Sequence, residues 1–127
     1  MEKLEEVTAP KFLLGNIEVV QQEDLALNKI LNGETICRFE WGNSMRPILV
    51  NGQYACLTPF SSFTLRYPQI GDAVFCKVHE QLMTHMIWNK NETTGYCLIG
   101  STSGELYGWT KEIYALATPM PYKEKEF

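Results

Sequence analysis

Residues 35–41 read Thr-Ile-Cys-Arg-Phe-Glu-Trp. Cys37, Phe39 and Trp41 alternate with Arg38 and Glu40, the pattern of a strand with one face against a core. The period of two recurs downstream. Gln53–Thr58 reads as a second strand, set off by Asn51-Gly52. Gly71-Asp72 opens Ala73–His79, and Leu82–Trp88 returns as its hairpin partner across Glu80-Gln81. Asn89–Gly95 is a polar turn, and Tyr96–Ile99 and Ile113–Thr118 complete the strands. Between them, Pro59–Gln69 is a loop rich in proline, serine and aromatic residues.

Upstream the period changes. Residues 1–16 read as an arm, with a short strand over Ile17–Val20. Glu23–Leu31 predicts a helix, because Glu23 and Asp24 suit its N-terminal dipole and Asn32-Gly33 supplies a stop. Leu27, Ile30 and Leu31 form its expected apolar face. The expectation is a mostly β single domain of six or seven short strands with one short N-terminal helix. Its parts are an arm and helix over 1–33, a β domain over 34–118 and a polar tail over 119–127. Short strands at this spacing fold into a barrel or sandwich.

Composition bounds the function. The chain has 127 residues, 45% of them apolar and 12% aromatic, enough for a core and unlike a disordered segment. A net charge of −4 argues against direct nucleic-acid binding, which needs a basic face. No apolar run approaches the roughly 20 residues of a membrane span. The N-terminal MEKLEEVTAPKFLLGN has acids where a secretory signal carries basic residues. The expectation is a soluble, cytoplasmic protein that does not insert into a membrane. Cys37, Cys56, Cys76 and Cys97 then read as reduced, buried thiols rather than a disulfide framework. No Cys-x-x-Cys pair exists, and Cys76 and His79, three apart on a strand, point to opposite faces. No metal and no cofactor is expected.

The segment with chemical content is Gly42-Asn43-Ser44-Met45-Arg46-Pro47. A serine between a strand end and a proline-stopped turn is held exposed, with backbone N–H groups free to face a ligand. Such a hydroxyl suits attack on a carbonyl, with local amides stabilising the oxyanion. The same six residues also read as a turn capping a strand. A second group of interest is His85, which shares a strand face with Met83 and Ile87 and so projects from an apolar surface.

The pattern from Trp41 to Thr118 resembles the serine peptidase superfamily of type I signal peptidases and LexA-like self-cleaving repressors. The matching pieces, in order, are the Gly42–Pro47 box, Val50-Asn51-Gly52, Gly71-Asp72-Ala73-Val74, Leu82–Ile87, Leu98-Ile99-Gly100 and Ile113–Ala117. The likeness is greatest to short, soluble, phage- or bacterial-type members, which also carry a pair like Gly108-Trp109. The resemblance implies a coil of short strands forming a partly closed barrel, with Ser44 as catalytic nucleophile at a cleft edge. It places His85 where bacterial members carry the lysine base, as in the endoplasmic-reticulum branch. Histidine, with a reference pKa near 6.5, is mostly neutral at pH 7 and demands less burial than lysine. Lys77 lies eight residues too early for that position.

Two departures stand out. Histidine-type members place an orienting acid in Gly-Asp-Asn, where this chain reads Gly100-Ser101-Thr102. Ser101 remains there as an acceptor for the ring, with Glu105 within reach if the loop folds back. Signal peptidases also use a hydroxyl two residues before the nucleophile, where this chain has Gly42. Neither Ala-Gly nor Cys-Gly occurs, and no DNA-binding domain precedes residue 42, so self-cleavage is not expected. The expected function is a serine peptidase acting on a peptide or protein through a Ser44–His85 dyad. The alternative is a lapsed, peptidase-like module that binds an extended peptide or a regulatory partner. A structural role is the third reading, with Phe60, Phe63 and Tyr67 offering an apolar patch.

Overall fold

The computed structural model describes residues 12–14, 17–40, 45, 53–63 and 66–120. The strands are β1 (Phe12–Leu14), β2 (Ile17–Val19), β3 (Ile36–Glu40), β4 (Gln53–Pro59), β5 (Ala73–Val78), β6 (Gln81–Lys90), β7 (Cys97–Gly100), β8 (Leu106–Thr110) and β9 (Ile113–Pro119). Among the described residues one helix, α1 (Glu23–Leu31), lies between β2 and β3, and one 3-10 turn covers Phe60–Ser62. The mostly β class is therefore observed. The strands form one sheet in the order β1-β2-β3-β4-β9-β5-β6-β7-β8, so β9 returns from the chain's end to lie between β4 and β5. All neighbours are antiparallel except β2 and β3, which meet in parallel at Val19 and Cys37. Among the described residues β1 and β8 end the order, and the sheet is not closed by pairing.

Helix α1 starts as its acids imply, though its cap is glutamine. The Gln22 Oε1 accepts the Leu25 N–H at 2.6 Å, and Lys29 near the other end pairs with Glu18 at 3.3 Å. Gly33, at φ 88°, takes the left-handed conformation that ends the helix. The buried stripe is centred on Ala26 and Ile30, flanked by Leu25 and Leu27. Leu31 corrects the expected face: one 100° step beyond Ile30, it points outward and is 63% exposed.

Strand β5 divides the core. Ala73 and Phe75 face a cluster with Val20, Ala26, Ile30, Ile36, Ala55 and Leu57, which α1 covers. Val74, Cys76 and Val78 face a second cluster with Ile87, Cys97 and Ile99. Both faces of β5 are thus buried, which explains its unbroken apolar run. Phe60 of the 59–69 loop packs on the second cluster, so this part of the aromatic patch covers the core. Tyr67 remains exposed.

The β5–β6 hairpin turns at His79-Glu80, one residue earlier than the expected Glu80-Gln81. Both residues have positive φ, 49° and 67°, as a type I′ turn requires. Sequence offered no Asn-Gly there to mark it. Strands β1 and β8 were not expected. Residues 1–16 lack a long enough alternation, and in β8 Gly108 and a register shift between Ile99 and Gly100 disturb it.

Candidate active site

His85 sits in mid-β6, directly opposite Val74 of β5. Alternation along β6 puts it on the side of Met83 and Ile87, as the sequence implied, and both pack in the second cluster. The ring is half-buried and lies against Tyr107 of β8, with centroids 4.6 Å apart and planes inclined by 40°. Two register shifts bring these groups together, one between Ile87 and Asn89 and one between Ile99 and Gly100. At the first, Trp88 donates its indole N–H to the Ser101 carbonyl at 2.8 Å, fixing the β7–β8 turn against β6.

Burial among these side chains pushes the His85 pKa below its ordinary 6.5, and the Glu105 carboxylate opposes the shift in part. The imidazole is consequently neutral at pH 7. Its Nδ1 is buried and has no hydrogen-bond partner among the described residues. A neutral, desolvated imidazole with one uncommitted nitrogen is chemically suited to accept or relay a proton.

The turn that carries the expected acid position is occupied with itself. Ser101 is buried, and its Oγ accepts the Glu105 N–H at 3.1 Å and lies 3.0 Å from the Ser103 Oγ. The Tyr107 hydroxyl donates to the Glu105 Oε1 at 3.3 Å. Neither Ser101 nor Glu105 bonds to His85 Nδ1, so Glu105 acts on the ring only through its charge. Tyr107 is the neighbour that sequence reasoning missed. Its only signal was its place beside Gly108-Trp109.

Ser44, with the rest of the Gly42–Pro47 box except Met45, lies outside the described residues. Met45 is buried in the first cluster, on the side of β6 that carries Leu82 and Met86. Gly71 and Asp72 have structural work. Gly71 takes φ 95°, and Asp72 accepts from the Arg66 guanidinium and the Gln69 N–H, both at 2.8 Å. Lys77 is held away from His85 in register, bridged to Glu112 and Thr110 through its backbone. His79 lies exposed at the hairpin turn, with Nε2 2.9 Å from where a Cβ on Gly108 would stand. No group of three His, Cys, Asp or Glu side chains suited to a metal occurs among the described residues. No helix among them is long and apolar enough to cross a membrane.

Comparison with models of known families, with curated proteins and with solved structures gives no match to this chain.

Proposed function

We propose that the chain is a serine peptidase of the signal-peptidase and LexA type, with Ser44 as nucleophile and His85 as general base. The reading includes the family's coil of strands, a peptide or protein substrate in extended form and a cytoplasmic location. The observation that supports it most is the state of His85. An imidazole held neutral by burial, with Nδ1 unbonded among the described residues, can take the hydroxyl proton as Ser44 Oγ attacks a carbonyl carbon. The imidazolium then gives that proton to the departing amine, and water releases the acyl group by the same route. Glu105 favours the imidazolium through its charge, and Tyr107 limits the ring's rotation by packing on it. Turnover of a peptide and ester library by wild type, Ser44→Ala and His85→Ala tests the proposal. Loss of activity in both variants supports it, and retained activity in either refutes it.

The lack of a partner for Nδ1 among the described residues favours a second reading, a peptide-binding module with little or no turnover. Without an acceptor to fix the tautomer, a histidine base loses orders of magnitude in rate. Peptides bound equally by wild type and Ser44→Ala, and never cleaved, would favour it.

A further inference from the structure

Cys37 of β3 and Cys56 of β4 stand directly opposite each other in the antiparallel register. The Cys37 carbonyl accepts the Val20 N–H at 2.9 Å, on the β2 side of the strand. In a strand the N–H and C=O of one residue point the same way, so Cys37 turns both away from β4. Cys37 and Cys56 therefore form a non-hydrogen-bonded pair, the narrow kind, with Cα atoms about 4.5 Å apart and side chains close. That separation lies within the range a disulfide spans, roughly 4.4–6.8 Å. Both thiols are free, and the Cys56 thiol is close enough to add to the upward push that burial gives the Cys37 pKa. Cys37 is fully buried, while Cys56 is half-buried and reachable. The other two cysteines are not a cross-strand pair: Cys76 on β5 stands opposite Met83 of β6, and Cys97 on β7 stands opposite Lys90.

We propose that Cys37 and Cys56 are a redox-active pair that closes to a cross-strand disulfide when the protein meets a low-molecular-weight disulfide. The Cys56 thiolate attacks one sulfur of the small disulfide, whose other sulfur leaves as a thiolate and is protonated. Cys37 then loses its proton and attacks the Cys56 sulfur of the mixed disulfide, expelling the second small thiolate. The two protein thiols are oxidised by two electrons, and the small disulfide is reduced to two thiols. Burial pushes the Cys37 thiol up to about 11, which makes it the slower, resolving partner. The closed ring spans 20 residues, 37–56, and encloses the Gly42–Pro47 box. It fastens β3 to β4 at the ends of the chain segment that carries Ser44.

The test uses the full chain incubated with oxidised glutathione, then denatured and alkylated with N-ethylmaleimide. Two cysteines should escape alkylation, the intact mass should fall by two hydrogens, and a tryptic peptide pair should link Cys37 to Cys56. The melting temperature should rise by roughly 5–10 °C and return with reductant. In Cys56→Ser, Cys37 should remain fully alkylatable after the same treatment. Four alkylated cysteines, a link through Cys76 or Cys97, or a reaction that stops at a glutathione adduct would each overturn the proposal.

Discussion

Replacing Phe75 by alanine should be the most damaging single truncation of the core that divides on β5. The ring is fully buried, lies 6.5 Å from the Tyr114 ring and sits under the Arg38 guanidinium at 5.5 Å. Its removal opens about 100 Å³, which at about 24 cal/mol per Å³ costs about 2.4 kcal/mol if the walls stay in place. Lost transfer of the ring from water adds roughly 2 kcal/mol, for about 3–5 kcal/mol in all. The Arg38 guanidinium, whose Nε is already buried without a hydrogen-bond partner among the described residues, would lose its aromatic neighbour as well. Against a total stability of about 5–15 kcal/mol the variant keeps a fold that is measurably weaker. Urea unfolding followed by tryptophan fluorescence should show the midpoint falling by roughly 2–3 M with the slope unchanged. Tyr67→Ala, at a position 69% exposed, should stay within about 0.5 kcal/mol of wild type. A cost below about 1 kcal/mol for Phe75→Ala would refute the placement of β5 between two buried faces.

Further outcomes follow from other residues. Glu80→Gly should stabilise the protein by about 1 kcal/mol in the same assay, because glycine removes the cost of the 67° φ in the hairpin turn. Gly100→Ala should destabilise it by about 1–3 kcal/mol, since the new Cβ would stand 2.6 Å from the Glu105 carbonyl oxygen, a backbone atom with little room to yield. His85 has a folded pKa below 6.5, so the unfolded chain binds its proton first, and stability falls as pH drops through 6.5 toward the folded value. Above 6.5 the penalty is absent. Melting temperatures between pH 8 and pH 5 should therefore decline more for wild type than for His85→Gln, and equal declines would show that the ring is solvated.

The sequence was most readable where a single period runs unbroken. The bounds of helix α1 are legible because the acids of its first turn and the Asn-Gly stop agree, while its apolar face is not, since Leu31 points outward and Ala26 inward. The phase of β6 also followed from alternation, which put His85 beside Met83 and Ile87. What could not be read were long-range pairings. Nothing local to Ile113–Pro119 says that it inserts between β4 and β5, because that choice rests on contacts with residues some 40–60 positions away. Strand β8 was hidden by Gly108 and a bulge, and with it went Tyr107, the ring that packs on His85. The fate of Ser101 was illegible for a related reason. A serine in a Ser-Thr-Ser-Gly turn bonds either to its own backbone or to a distant ring, and here the turn takes it.

The proposed dyad is tested most directly by covalent labelling of the nucleophile with a fluorophosphonate, read by mass spectrometry of the intact chain and its peptides. The account predicts one adduct, on Ser44, forming at a rate that rises with pH through the depressed pKa of His85. The rate should fall by about 10²–10⁴ in His85→Ala. A chain that takes no label, or labels equally fast without the imidazole, would contradict it.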